Sequence, residues 1–142
     1  MSLLSRKALL AIVAVIDVAL HARGQLVSAK DLAARHDLPA RHLEPVLQAL
    51  VREGVLNGVR GPRGGYELAR ERRRITISDI LKAAGSIEAD SGPARPGSGL
   101  LKDVVMPAVA QAEKAYVAAL SRITIEDLAR RAEPFKAPTG ES

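Results

Sequence analysis

The fold is decided by the stretch Arg60-Gly61-Pro62-Arg63-Gly64-Gly65-Tyr66-Glu67-Leu68-Ala69-Arg70, a turn rich in glycine and arginine between two runs of strand-forming residues. Its glycines adopt backbone conformations that strain other residues, which favours the tip of a tight hairpin. An apolar-periodic segment ending at Glu53-Gly54 precedes the hairpin, and the start of another helix follows it. A helix followed by a basic hairpin is the outline of a winged helix-turn-helix, a fold typical of DNA-binding proteins.

Helices are expected on both sides of the hairpin. Apolar periodicity predicts helices over residues 4–22, 29–36 and 40–53 before it and over 77–84 after it. The two strands are expected at 55–60 and 66–69. Three helix starts share one capping pattern, in which a hydroxyl residue is followed three positions later by Asp, at Ser28, Thr76 and Thr124. The expected fold class is therefore mainly α-helical with a small β-hairpin wing.

The composition narrows the class of protein. The 142 residues include no cysteine, which excludes disulfides, zinc–thiolate sites and thiol nucleophiles. Residues 1–74 carry 13 Lys and Arg against 7 Asp and Glu, whereas residues 75–142 carry 8 against 9. The basic first half therefore has a polyanion as its expected partner. The apolar run 8–20 is too short for a membrane span and contains Asp17, so a buried helix is favoured over a secretory signal, and a cytoplasmic location over a membrane one.

The start of the helix predicted at 40–53 is the candidate for contacts with bases. In a helix-turn-helix, the N-terminal residues of the second helix lie at base edges in the major groove. Arg41 can offer two parallel hydrogen bonds to guanine, Glu44 can accept from the amino group of cytosine, and His42 is exposed beside them. The alternative for Glu44 is a surface ion pair with Arg41, three positions earlier on the helix.

The wing is expected to contact the DNA backbone or a minor groove. Arg60 and Arg63 project from the hairpin toward the negative potential, and Gly61 and Gly64 of the tip belong to the same surface.

Two residues at the start of the helix at 29–36 suit a phosphate. Ser28 offers a hydroxyl together with helix-end amides, and Lys30 offers a charge. Arg70 and the run 72–74 lie farther along the chain. They either extend the DNA-binding surface or are only solvent-exposed charges at the end of the strand. For Arg73 and Arg74 the second role is favoured.

The second half contains an expected loop and a long helix. Residues 86–99 are rich in Gly, Pro and Ser and are predicted to be mobile. Residues 100–121 are predicted to be a long helix, interrupted early by Pro107. A short helix is expected at 125–132. The apolar face of the long helix includes Leu101, Val104, Val105, Ala108, Ala112, Ala115 and Ala119.

Taken together, several motifs resemble the Rrf2 family of bacterial transcription regulators. Besides the hairpin, they are Leu38-Pro39-Ala40-Arg41-His42-Leu43-Glu44-Pro45-Val46-Leu47, Gly54-Val55-Leu56 and Ile75-Thr76-Ile77-Ser78-Asp79-Ile80. The resemblance is strong over residues 4–85 and weaker over the long helix and residues 123–128.

The resemblance implies a homodimer that binds double-stranded DNA at a palindromic operator. The long helix would be the dimerisation element, through the apolar face given above, and base contacts are implied at Arg41, Glu44 and Arg60. The expected organisation is a DNA-binding domain at 1–85, a flexible loop at 86–99, a dimerisation helix and short terminal helix at 100–133, and a disordered tail at 134–142.

The chain departs from the family pattern at one place. Many members hold an iron–sulfur cluster through three cysteines in the loop before the long helix, and this chain has no cysteine. No cofactor is therefore expected, and the effector, either a small molecule or a partner protein, stays open.

The favoured function is that of a sequence-specific transcriptional regulator, with repression favoured over activation. An enzyme is disfavoured because no catalytic or metal-ligand constellation is present. A winged helix that binds protein, or one that binds DNA without sequence preference, stays open as an alternative. Residues 41–74 contain eight arginines against four glutamates, which favours DNA over a protein partner.

Overall fold

The order of the elements confirms a winged helix-turn-helix. The computed structural model describes residues 4–85 and 99–136. Its elements are the α-helices α1 (Arg6–His21), α2 (Ala29–His36), α3 (Ala40–Arg52), α4 (Ile77–Ala83), α5 (Met106–Leu120) and α6 (Ile125–Lys136), and the strands β1 (Leu56–Val59) and β2 (Gly65–Leu68). A 3₁₀ turn at Arg72–Arg74 follows the wing, and a π-helical turn at Leu101–Val105 precedes α5.

The wing is an antiparallel hairpin that a third short segment joins. Leu56 pairs with Leu68 at its base, and Val59 pairs with Gly65 near its tip. The N–H of Val27 donates to the carbonyl of Tyr66 at 3.0 Å, and the N–H of Tyr66 donates back at 2.7 Å. The segment between α1 and α2 is thereby tied to β2, which fixes the direction in which the wing leaves the core.

The core is built around α1 with small side chains. Ala11, Ala14, Val15 and Val18 are fully buried, and they pack with a stripe from α3 that includes Leu43 and Leu47. Alanines on α1 allow neighbouring helices to approach closely, as expected for a chain with few aromatic residues. The burial of α1 is not complete, because Leu9 and Val13 remain exposed.

The terminal helix α6 belongs to this core. Ile125 and Ala129 are fully buried in the same cluster as α1. The N–H of Ile77 donates to Ile123 at 2.9 Å, and the N–H of Ile125 donates to Ile75 at 2.8 Å, so α4 and α6 begin side by side. Thr76 and Thr124 cap these two helices as predicted. Sequence reasoning had grouped α6 with the dimerisation segment, but its buried residues pack against the first domain.

The chain between α4 and α6 carries an exposed helix. Ser78 anchors its far end, because the buried hydroxyl donates to the carbonyl of Val117 at 3.0 Å. Earlier residues of the helix are exposed, including the whole π-helical turn. The predicted loop 86–99 lies outside the described residues except for Gly99. The predicted tail also lies outside from residue 137, while α6 continues through Pro134 to Lys136.

A buried carboxylate joins α1 to α2. The side chain of Asp17 is inaccessible to solvent and accepts two hydrogen bonds from Arg35, at 2.9 Å from Nε and 2.7 Å from Nη2. Nε2 of His36 lies 2.7 Å from the same carboxylate, and Nδ1 of His21 lies 3.5 Å from it. Burial alone would raise the pKa of Asp17, but the hydrogen bonds from Arg35 and His36 and the charge of Arg35 outweigh it, so the pKa lies below its ordinary value.

Replacing this carboxylate should destabilise the fold. We expect Asp17→Asn to lower the free energy of unfolding at pH 7 by about 3 kcal/mol, because it leaves Arg35 partly buried without a counter-charge. The folded-state pKa of Asp17 is depressed, so its stabilisation is complete above the ordinary value of 3.8 and is lost as the pH falls below it. Urea unfolding at several pH values measures both effects.

The control is Glu67→Gln, which changes an exposed acid of β2 outside the ion pairs of the described residues and should alter stability by less than about 0.5 kcal/mol. Equal stability of Asp17→Asn and the wild-type protein at pH 7 would show that the ion pair contributes nothing net.

Candidate DNA-binding surface

A tight turn orients α3 against α2. Asp37 ends α2 in the left-handed conformation with φ of 53°, and the N–H of Leu38 donates back to the carbonyl of Ala33 at 2.9 Å. Pro39 then precedes the first residue of α3. Two helices joined by such a short turn leave the N-terminal end of the second one projecting from the domain, as in a helix-turn-helix.

One face of α3 is buried and the other carries polar residues. Arg41 and Glu44 are exposed, as predicted, and so are Gln48 and Arg52. These four positions are three or four residues apart, so they lie along one side of the helix. His42 is also exposed. The opposite side is buried and contains Leu43, Val46, Leu47 and Leu50.

Glu44 is not paired with Arg41 in the structure. Among the ion pairs of residues 4–85 and 99–136, none involves Arg41 or Glu44. The alternative role of Glu44 as a surface partner of Arg41 therefore finds no support in this geometry. Both side chains remain available to a ligand outside the chain.

The wing presents two arginines on a glycine scaffold. Arg60 and Arg63 are exposed, and neither forms an ion pair with a described residue. Gly61 has φ of 117°, a conformation that side chains rarely permit. A Cβ on Gly64 would collide with the carbonyl oxygen of Val59 and lie 2.9 Å from the carbonyl carbon of Arg60. The tip therefore requires glycine for steric reasons.

Ser28 and Lys30 lie at the start of α2, beside the wing. The Ser28 hydroxyl accepts from the N–H of Asp31 at 3.0 Å and so caps the helix, as predicted. Its own proton stays available to a further acceptor. Lys30 is exposed.

The arginines beyond the wing have internal partners. Arg70 donates to the carbonyls of Gly54 and Arg74 and lies 3.6 Å from Asp79. Arg72 lies 3.6 Å from Glu126 of α6, while Arg73 and Arg74 lie beside Glu71 at 3.2 and 3.5 Å. These contacts support a structural role for this run rather than an extension of the DNA-binding surface.

An open cleft of about 660 Å³ separates α3 from the wing. Its lining comprises Ser28, Ala29, Gln48, Val51, Arg52, Gly58, Val59, Arg60, Gly61, Gly64, Gly65 and Tyr66. The pKa of Tyr66 is raised, first by burial and second by the charge of Glu44. The charge of Glu44 on α3 therefore acts on Tyr66 in the wall of the cleft.

Gln48 and Arg52, which line the cleft, are absent from the site predicted from the sequence. Their positions, four and eight residues after Glu44, were a usable signal, because they continue the same helical side.

Within the described ranges, no set of three or more acidic or histidine side chains is arranged to hold a metal ion. None of the described helices is both long and apolar enough to cross a membrane.

This arrangement defines a winged helix-turn-helix DNA-binding protein, and comparison with known proteins specifies the family. Residues 4–131 match the model of Rrf2, described as iron-dependent transcriptional regulators. The chain belongs to the Rrf2 family and is a DNA-binding transcriptional regulator rather than an enzyme.

Relatives and solved structures agree with this assignment. The protein slr0846 of Synechocystis, which carries the name of an HTH-type transcriptional regulator, is 33% identical over 139 residues, covering 97% of this chain and 95% of its own. The structure of T. potens IscR superposes with a TM-score of 0.72 at 28% identity, covering 97% of this chain and 92% of that one. CymR of B. subtilis, described as the global cysteine regulator, has a TM-score of 0.70 at 25% identity, covering 92% and 98%.

The steric requirement at the tip of the wing can be tested directly. We expect Gly64→Ala to displace the tip and weaken DNA binding at least about tenfold, because a Cβ would collide with the backbone of Val59. The melting temperature should fall, but the protein should stay folded at about 25 °C, because the tip lies outside the core. Gly99→Ala is the matched control, since its Cβ would meet only an ordinary contact at 3.7 Å. Fluorescence anisotropy and thermal melting of both variants distinguish a local effect on the wing from unfolding.

Proposed function

We propose that this protein is a homodimeric repressor that recognises a palindromic operator in the cytoplasm without an iron–sulfur cluster. The N-terminal ends of the two α3 helices enter successive major grooves, and the wings lie at the flanking minor grooves. The observation that carries this proposal is the exposure of Arg41, Arg60 and Arg63, none of which takes part in an ion pair with the described residues.

Specific recognition is favoured over binding without sequence preference. A carboxylate facing DNA weakens binding unless it accepts a hydrogen bond from a base, and Glu44 lies at the base-facing end of α3 without an internal cation. We therefore assign base contacts to Arg41, His42 and Glu44 in the major groove and to Arg60 in the minor groove. Backbone contacts are assigned to Ser28, Lys30 and the wing residues Gly61, Arg63 and Gly64.

The proposed dimer forms through the exposed helix. Leu101, Val105, Ala108, Ala112, Ala115 and Ala119 follow a four-three spacing typical of a helix that packs along a partner helix. The adjacent Val104 is 58% exposed, an unusual position for a valine unless another surface covers it. The small alanines toward α6 allow two helices to approach closely. A second copy, supplying the same stripe, would cover this face by two-fold symmetry.

The proposed regulator differs in its sensor from cluster-binding members of its family. The family description is iron-dependent, yet this chain has no thiolate to ligate a cluster. An effector, either a small molecule or a protein, would then act through another surface. Repression is favoured because a dimer that occupies successive grooves on its operator excludes other proteins from the same DNA.

Base recognition and backbone contact should respond differently to substitution. We expect Glu44→Ala and Arg41→Ala to change the preferred operator sequence, with discrimination at the affected base pair falling by about 1–3 kcal/mol. Arg63→Ala should instead weaken binding to all sequences and lower the slope of log K against log salt by about 1.8, because each wing of the dimer loses one phosphate contact. Anisotropy titrations use operator and shuffled duplexes at several salt concentrations.

For this test, the operator is taken from DNA upstream of the gene or selected from a random pool with the wild-type protein. Equal loss of operator and shuffled-duplex binding in Glu44→Ala would remove its base-recognition role. A shift in base preference in Arg63→Ala would contradict the assignment of Arg63 to the DNA backbone.

The dimerisation helix is best tested by point substitution. Truncation before Leu100 would also remove Ile125 and Ala129 from the core, so loss of assembly could follow from unfolding. We expect Ala112→Glu to give a folded monomer by light scattering, because it places a charge in the close helix–helix contact. Ala110→Glu, on the opposite side of the exposed helix, should remain dimeric. A dimeric Ala112→Glu variant would refute this interface.

A further inference from the structure

We propose that the cleft between α3 and the wing holds the sugar–phosphate backbone of one DNA strand, and that Arg52 and Gln48 are additional DNA-binding residues. This inference rests on the proposed binding mode, in which α3 enters a major groove and the wing an adjacent minor groove. It assigns a ligand to a cleft and to two side chains for which the motifs above give no role.

Duplex geometry requires a strand to pass through this cleft. In B-DNA, the neighbouring major and minor grooves are separated by one sugar–phosphate backbone. A protein with one element in each groove must straddle that backbone, so the space between the two elements is where the strand lies. In this protein that space is the open cleft of about 660 Å³ between α3 and the wing.

The lining of the cleft suits a polyanion. Arg52 on the α3 side and Arg60 on the wing side carry positive charges, and Gln48 offers amide donors. None of the lining residues is an acid. Gly58 and Gly61 place no side chains in the cleft, which leaves room for a strand to approach the protein backbone.

The position of Arg52 favours a phosphate over a base. It lies eight residues after Glu44, so its Cα is about 12 Å farther along the helix axis and away from the base-contacting end. Arg52 is exposed, and it has no ion pair with any residue in the described ranges. Gln48 lies halfway between them and lines the same wall.

A purely structural role for Arg52 is the competing explanation. It is the last residue of α3, where a cation interacts favourably with the negative end of the helix dipole. That role predicts lower stability in Arg52→Ala with no loss of any particular DNA contact. The proposed role predicts loss of one phosphate contact in each half-site, with the fold retained.

Phosphate-ethylation interference distinguishes the two roles. The full-length protein is bound to its selected operator, and the phosphates whose ethylation blocks binding are compared for the wild type, Arg52→Ala, Arg52→Lys, Gln48→Ala and Arg122→Ala. Arg122 is an exposed arginine outside the cleft and serves as the matched control. Anisotropy against salt concentration and thermal melting accompany each variant.

We expect Arg52→Ala to lose interference at one phosphate in each half-site, to weaken binding about tenfold, and to reduce the salt slope by about 1.8, because the dimer loses two phosphate contacts. Arg52→Lys should restore the salt slope, because the charge is retained. Gln48→Ala should weaken binding about threefold with the salt slope unchanged, since the amide is neutral. Arg122→Ala should match the wild type throughout.

An unchanged interference pattern and salt slope in Arg52→Ala would overturn the inference, and so would a lower melting temperature as the sole effect. The proposed function has a separate readout, because it requires a preferred sequence and a change of that preference in Glu44→Ala. If the wild type binds all duplexes equally but Arg52→Ala still lowers the salt slope, the result supports a DNA backbone in the cleft and refutes recognition of a specific operator.

Discussion

The buried ion pair between Asp17 and Arg35 is the constraint on which the DNA-binding surface depends. An eight-residue helix such as α2 is not stable alone in water, so its position must come from tertiary contacts. Arg35 and His36, in its last turn, hold it to α1 through one carboxylate. The turn that directs α3 follows immediately. The central helix of the core therefore sets the angle at which α3 projects from the domain.

The described arginines of α3, the wing and the segment after it divide into two groups, those with internal partners and those without. Arg70 and Arg72 bind carbonyls or carboxylates of the wing base, α4 and α6, and so fasten the hairpin to the core. Arg41, Arg60 and Arg63 have no such partners among the described residues. Net charge suggests a polyanion as ligand, but it does not identify which cations face that ligand. The positions of the carboxylates within the fold identify these cations. A cation that is already paired with a carboxylate gains less free energy from binding a phosphate.

The second half of the chain combines two kinds of contact. α6 returns to the core, where Ile125 is fully buried against α1, while the preceding helix keeps an apolar side in solvent. Ser78 and Val117 connect the end of that helix to α4. A partner bound along the exposed helix would consequently be joined to the DNA-binding head through short, buried contacts rather than through a flexible linker.

Local sequence patterns determined the helices, their capping residues, the hairpin and the exposed start of α3, because turn chemistry and apolar periodicity act over a few residues. They also carried the family resemblance. The sequence did not show that Asp17 binds Arg35, that α6 completes the core, or that Gln48 and Arg52 face the wing across a cleft. Each of these depends on residues distant in the chain, and only tertiary packing decides which of many similar side chains meet. The charge and apolarity of a residue can be read from the sequence, whereas the side chain that it contacts is set by the fold.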